Sequence, residues 1–263
     1  MAMEKYWKNV EAVIRQSNVV LEVIDARIPD LTRNERIEEI TKRQRKPLII
    51  VVNKCDLITE EMRDRILDDF KFKKFVLVAT KTRYGIQKLK DMINELVKKR
   101  RRQKIINVGI VGYPNTGKSS LINTLSKKSK TRISSIAGFT RGIQWIAGDE
   151  NLRFLDTPGV IPFSMKDEIQ QALISIIDPN KLVNPDLVAM RIIDLFVKFN
   201  KKYFENFYNI IINDEDSLEI IFKIGRKKNF LKKGSEVDDS RTAIMIIYDW
   251  QRGKLLLNRN IND

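Results

Sequence analysis

The chain contains no histidine and a single cysteine, Cys55. The first absence removes imidazole-bound metals and every Ser-His-Asp or Cys-His nucleophile. The second removes internal disulfides and cysteine-based zinc sites. Chemistry in this chain must therefore rest on carboxylates, lysines, backbone groups and bound metal ions. No apolar run approaches the roughly 18 residues of a membrane span, and Met1 to Lys8 lacks the apolar centre of a secretory signal. The expectation is a cytoplasmic protein without stable membrane association. Cys55 reads as a small buried thiol with no redox role.

What the chain has in excess is positive charge. Its 263 residues carry 49 Lys and Arg against 34 Asp and Glu, a formal net charge of +15. Up to Gly159 there are 33 basic and 19 acidic residues, whereas residues 160–263 hold 16 and 15. The excess is thus concentrated in the first part, and it suggests a polyanionic partner, nucleic acid ahead of an anionic membrane.

Near the middle stands Gly112-Tyr113-Pro114-Asn115-Thr116-Gly117-Lys118-Ser119. Glycines at both ends of G-x-x-x-x-G-K-S let successive backbone N–H groups face an anion, while Lys118 reaches the outer phosphates and Ser119 ligates Mg²⁺. An apolar β-branched strand, residues 105–111, precedes it, and a helix from Ser119 follows, the order that a phosphate loop requires. Pro114, Asn115, Thr116, Gly117 and Ser120 complete the expected contact set.

Earlier in the chain, Leu48-Ile49-Ile50-Val51-Val52 is a buried strand that ends in Asn53-Lys54-Cys55-Asp56. The Asp56 carboxylate can accept two hydrogen bonds at once, from N1–H and the exocyclic amine of guanine, a pair of donors that adenine lacks. Asn53 braces the loop and the Lys54 stem lies along the base. A strand over residues 74–78 ends at Ala79-Thr80-Lys81, whose backbone reaches the guanine oxygen. After the phosphate loop, Thr140 sits in a Gly- and Thr-containing loop suited to a switch that contacts Mg²⁺ and the terminal phosphate. A hairpin of residues 143–147 and 152–155 leads into Asp156-Thr157-Pro158-Gly159, where Asp156 serves the metal and the Gly159 N–H the γ-phosphate.

The basic run at 98–104 is either a solvated helix cap or an RNA contact, with RNA contact ahead, and the run at 127–132 adds further charge. Around this framework the pattern predicts an amphipathic helix at 4–16, a strand at Val19–Ile24, a charged helix at 34–46 and a helix at 87–99. Past Pro162 the chain turns helical: a stripe from Ile169 to Ile177, a helix from Pro185 to Phe199, one from Asp216 closed by Gly225, and one from Ser240 closed by Gly253. The aromatics Tyr203, Phe204, Phe207, Tyr208, Tyr248 and Trp250 read as core. Arg226-Lys227-Lys228 and Lys232-Lys233, with Phe230 between, form a candidate RNA contact.

The motifs resemble those of the TRAFAC class of P-loop GTPases, but in a different order, because N-K-C-D and Ala79-Thr80-Lys81 precede the phosphate loop. That order, with Asp25-Ala26-Arg27 at the first strand end, Thr140-Arg141-Gly142-Ile143-Gln144-Trp145, Asp156-Thr157-Pro158-Gly159-Val160 and Ile224-Gly225-Arg226-Lys227-Lys228, resembles the circularly permuted ribosome-assembly GTPases of the YlqF/YawG type. The resemblance implies an α/β fold, a permuted P-loop GTPase domain with a mostly parallel sheet over residues 1–164, and an all-α RNA- or ribosome-binding domain over 165–263. It implies GTP and GDP as ligands with Mg²⁺, and K⁺ as an activator held at Asn115, since Val160 stands where Ras-like enzymes carry a water-orienting glutamine. Lys118, Asn115, Thr140 and Gly159 are then the catalytic set, and rRNA in a large-subunit precursor is the partner of a monomer. A GTP-gated RNA-binding module and a peripheral membrane GTPase are the alternatives.

Overall fold

A computed structural model describes residues 2–98, 105–126, 144–147, 152–156 and 167–257. Backbone proximity divides the chain into two units, residues 1–56 with 66–164, and residues 57–65 with 165–263.

In chain order the first stretch forms α1 (Ala2–Gln16), β1 (Val19–Asp25), α2 (Pro29–Thr32), α3 (Glu35–Arg43), β2 (Leu48–Asn53), α4 (Glu60–Asp69), β3 (Phe75–Val78), α5 (Ile86–Lys98), β4 (Ile106–Val111), α6 (Lys118–Leu125), β5 (Gln144–Ala147) and β6 (Leu152–Asp156). The strands make one sheet in the order β3-β2-β1-β4-β6-β5. The first five of these are mutually parallel, and β5 is the antiparallel edge. Every residue of β1 is buried, as expected of a parallel strand covered on both faces.

Alternation along the strands sorts their side chains. Val19, Leu21 and Val23 face a layer formed by α5 and α6 through Leu89, Ile93, Leu121 and Ile122. Val20 faces the other layer, where Val10, Ile14, Ile37 and Ile40 come from α1 and α3.

The second unit is helical: α7 (Glu168–Leu173), α8 (Pro185–Phe199), α9 (Lys201–Tyr208), α10 (Ser217–Lys227) and α11 (Asp239–Gln251). Phe196 of α8 is fully buried beside the rings of Tyr203, Phe204 and Trp250. The Trp250 indole donates to the Leu173 carbonyl at 2.9 Å and the Tyr203 hydroxyl to the Lys254 carbonyl at 2.9 Å, so the polar ends of these rings are satisfied. Among the described residues no helix is long and apolar enough to cross a membrane.

The structure amends several expected boundaries. The charged helix is shorter than 34–46, because the Asn34 side chain caps it by accepting from the N–H groups of Arg36 and Ile37. The stripe through Ile177 ends at Leu173, and Ser175 takes a left-handed backbone, φ 62°. Gly225 does not close its helix: α10 runs through it, and a Cβ there would stand 2.4 Å from Val237 Cγ1 and 2.7 Å from Thr242 Oγ1. Its role is close approach between elements rather than termination. Three helices, the short α2 and the longer α4 and α9, lack a counterpart in the sequence reading. Helix α9 is separated from α8 by Asn200 alone, whose backbone N–H ends α8 and whose side chain caps α9 by accepting from Tyr203 N–H.

Candidate nucleotide site

Because β1, β2, β3, β4 and β6 run parallel, the loops after all five open at one edge of the sheet, the place where such sheets bind ligands. Asp25, the Asn53–Asp56 turn, Ala79–Lys81, the Gly112–Ser119 loop and the Asp156 backbone are all at that edge.

The phosphate loop owes its path to two glycines. Gly112 has φ 140°, and a Cβ on it would lie 2.4 Å from the Val23 carbonyl oxygen; Gly117 has φ 99°, and a Cβ there would lie 2.1 Å from Asn53 Nδ2. Neither position admits a side chain. Between them Asn115 also takes a left-handed backbone, φ 60°, which asparagine tolerates better than most residues. Gly117 then opens α6, whose first N–H groups lack helical partners and face the loop. The Tyr113 carbonyl gathers the loop inward: it accepts from Thr116 Oγ1 at 2.9 Å and from Lys118 Nζ at 2.6 Å. Lys118 is thus folded back over the loop, with its ammonium on a carbonyl rather than extended outward.

The Asn53–Asp56 turn is fastened to this loop by two side chains. Asn53 Nδ2 donates to the Thr116 carbonyl at 2.9 Å, and Lys54 Nζ donates to the Asn115 carbonyl at 2.7 Å. Lys54 has a left-handed backbone, φ 63°, a cost of about 1 kcal/mol that charge-assisted hydrogen bonds of about 1.5–3 kcal/mol each offset. Its ammonium also lies 2.7 Å from Asp25 Oδ2. Asp25 is buried, and Arg27 clamps it from the other side, Nε to Oδ1 at 3.1 Å and Nη2 to Oδ2 at 2.8 Å, with the Arg27 backbone N–H at 3.0 Å from Oδ1.

Burial alone would raise the Asp25 pKa, but the Arg27 and Lys54 charges hold the carboxyl well below its ordinary value. Burial depresses the Lys54 ammonium, against the pull of Asp25. The Lys54 ammonium is therefore committed to a carboxylate and a carbonyl, and the carboxylate partner is what motif reading missed. An acid at a strand end followed two residues later by arginine was the available signal.

The same strand carries a second buried acid. Glu22 occupies the middle of β1, fully buried, with Oε1 accepting from the Asn34 N–H at 2.7 Å and Oε2 buried without a partner among the described residues. Burial pushes its pKa up to about 8, so the carboxyl is largely protonated at neutral pH. An acid inside Val-Val-Leu-Glu-Val-Ile is legible as an anomaly in the sequence, although its protonation state is not.

Asp56 lies in a single 3₁₀ turn, Cys55–Leu57, half-exposed, while the Cys55 side chain is buried. Ala79 is buried and bridges to Tyr84, whereas Thr80 and Lys81 reach progressively toward solvent. Ser119 and Ser120 are half-buried in the first turn of α6. Ser119 thus stands in the first turn of α6, and the backbone of β6 ends with Asp156 at the same edge. Thr140, Gly159, Val160 and the basic segments 99–104 and 127–132 lie outside the described residues. The structure therefore brings together Asn53, Lys54, Asp56 and residues 114–120 and says nothing of the switch.

Comparison with known proteins agrees with this geometry. The family described as "50S ribosome-binding GTPase" matches residues 107–217. An uncharacterized GTP-binding protein of Methanocaldococcus jannaschii is 38% identical over 248 residues, which is 94% of this chain and 65% of the relative. Nucleolar GTP-binding protein 2 of Saccharomyces cerevisiae is 32% identical over 258 residues, 96% of this chain and 52% of the relative. The chain thus spans about half to two thirds of the length of these relatives. The crystal structure of GNP-bound YlqF from T. maritima superposes with a TM-score of 0.60 at 25% identity, covering 96% of each chain. With the N-K-C-D loop closing the second strand and the phosphate loop the fourth, the chain has the fold and the motif order of the circularly permuted P-loop GTPases of the YlqF/YawG type.

Proposed function

We propose that the chain binds guanine nucleotides, hydrolyses GTP, and uses that cycle in assembly of the large ribosomal subunit, with rRNA as its partner. The observation that carries this reading is the double tie between the guanine-selecting turn and the phosphate loop, Asn53 to Thr116 and Lys54 to Asn115. Base recognition and phosphate recognition are thereby built as one rigid body before ligand arrives, which lowers the ordering cost of binding.

In this reading Asp56 accepts from the guanine edge, and the loop N–H groups with the first turn of α6 receive the phosphates. Lys118 exchanges its Tyr113 carbonyl for a phosphate oxygen. Ser119, Asp156 and Thr140 hold Mg²⁺, which when bound offsets charge on the phosphates. Asn115 holds K⁺ in place of an arginine finger, and the Gly159 N–H meets the γ-phosphate. Residues 1–164 form the GTPase domain and 165–263 the RNA- or ribosome-binding domain. In the latter Arg226, Lys227, Lys228 and Lys233 are exposed, and Arg241 stacks 4.1 Å from the Phe230 ring centre. The name of the matched family and the nucleolar relative support the ribosomal assignment.

Turnover measured with and without large ribosomal subunits, in K⁺ and in Na⁺, tests the proposal. Slow GTPase activity, on the order of 10⁻⁴ to 10⁻³ s⁻¹ alone, that rises with subunits and with K⁺ is the expected result. Equal turnover of ATP would overturn the guanine assignment, and indifference to Asn115→Ala in K⁺ would overturn the cation's role.

A further inference from the structure

The loops that enter the strands lie at the sheet edge opposite the nucleotide site, about 20 Å away at ~3.3 Å per strand residue. Three of them follow one another along the order β3-β2-β1. They are cross-linked: the Lys74 carbonyl accepts from Ile50 N–H, the Pro47 carbonyl from Val20 N–H, and Lys46 Nζ donates to the carbonyls of Arg15 and Ser17 at 2.7 Å each. Lys74 directly precedes β3, Arg45 lies three residues before β2 and Arg15 four before β1, so neighbouring strand entries each carry a cation. All three are exposed, and none has an acidic side chain within ion-pair distance among the described residues.

At the β3 end of this edge Phe72 is 92% exposed, with Lys71 Nζ 5.5 Å from its ring centre. The fold makes no use of it. Phe70 and Phe75, on either side, pair with each other at 5.6 Å and anchor the loop. An aromatic ring offered to solvent on an edge that carries cations is the combination that single-stranded nucleic acid requires, a face for a base and charges for its backbone.

We propose that this edge is an RNA-binding track in which Phe72 stacks on an unpaired base and Lys74, Arg45 and Arg15 contact successive phosphates. The proposal rests on the reading of the chain as an RNA partner and adds a place for RNA on the nucleotide-binding unit, remote from the nucleotide. RNA held here leaves the phosphate loop open, so the two ligands bind together.

The test titrates a fluorescein-labelled, unstructured (CA)₁₀ RNA with the full chain at several salt concentrations. Phe72→Ala is expected to lose about 5- to 100-fold in affinity with an unchanged salt slope, because stacking releases no counterions. Phe72→Trp should restore binding. The triple variant Arg15→Gln, Arg45→Gln, Lys74→Gln should flatten the slope of log K against log salt by about 2, at ~0.7 per lost contact on a single strand. Melting temperature and GDP affinity of each variant should match the parent.

Parent binding with unchanged affinity and slope in both variants overturns the track and leaves the ribosomal reading standing. Failure of the parent chain to bind RNA at all overturns both. Variants that keep RNA but lose a 20-residue oligoglutamate would reassign the surface to an acidic protein partner.

Discussion

Replacing Glu22 by glutamine should make the protein less sensitive to pH. The folded-state pKa lies near 8 against an ordinary 4.5, so between those values the native state binds a proton that the unfolded chain has released. Stability from this site is complete below about pH 4.5, falls as pH rises through the window, and is gone above about 8. The slope inside the window is at most ~1.4 kcal/mol per pH unit. From pH 5.5 to 7.5 the parent should therefore lose up to about 2–3 kcal/mol that Glu22→Gln does not.

Glutamine keeps an oxygen to accept from the Asn34 N–H. Its amide would place donors where Oε2 has no partner, a constant cost of about 1 kcal/mol that does not change with pH. The informative quantity is thus the difference in melting temperature between variant and parent at each pH, which cancels every other titrating group. For a chain of this size 1 kcal/mol corresponds to about 2–4 °C, so the difference should move in favour of glutamine by roughly 4–10 °C across the two units. The transition that shifts on adding GDP identifies the nucleotide-binding unit. A difference that stays flat from pH 5.5 to 7.5 would show that Glu22 is ionised in the fold and would refute the argument.

Other outcomes follow from the same contacts. Asp25→Asn leaves the Lys54 ammonium and the Arg27 guanidinium without their carboxylate, which should cost about 2–4 kcal/mol and, through the Lys54 to Asn115 tie, weaken GDP binding in an isothermal titration. Asp56→Asn should exchange guanine for xanthine preference in a competition assay, because an amide donates where the xanthine 2-oxygen accepts. Gly225→Ala should lower the melting temperature of the helical unit by the equivalent of about 1–3 kcal/mol even though alanine favours helix by about 1 kcal/mol, since its methyl meets Val237 and Thr242.

Motif chemistry was legible in the sequence wherever geometry is local. Gly-x-x-x-x-Gly-Lys-Ser needs only a strand before it and a helix after it, and apolar runs of β-branched residues announce both. The mostly parallel sheet came with the family resemblance, and of the six aromatics expected in the core of the second unit Tyr203, Phe204, Tyr208 and Trp250 are buried, whereas Phe207 and Tyr248 are only half-buried. What stayed hidden was pairing across long separations. Nothing within a few residues of Lys54 shows that its ammonium meets Asp25, 29 positions earlier, and Asn115, 61 positions later. Helix α9 was missed for a related reason, since one asparagine serves two helix ends at once and leaves no loop to mark the boundary.

The hidden contacts also give the changed motif order a physical meaning. Chain order is immaterial to a sheet held by hydrogen bonds, so the guanine turn can precede the phosphate loop without altering the edge at which they meet. It is not immaterial to what fixes them together, because β1 and β2, with the Asp25–Arg27 clamp and the Asn53–Lys54 turn, are contiguous in the chain. The base-recognition half is thus one local folding segment, and the phosphate loop docks onto it through two carbonyls, those of Asn115 and Thr116. Backbone carbonyls accept these bonds whatever side chain the loop residue carries. Asn115→Ala should therefore keep both ties, lose about 1 kcal/mol of stability because alanine tolerates the left-handed backbone at φ 60° less well than asparagine, and blunt the response of turnover to K⁺; a variant whose turnover still rises in K⁺ as the parent's does would refute the cation's role.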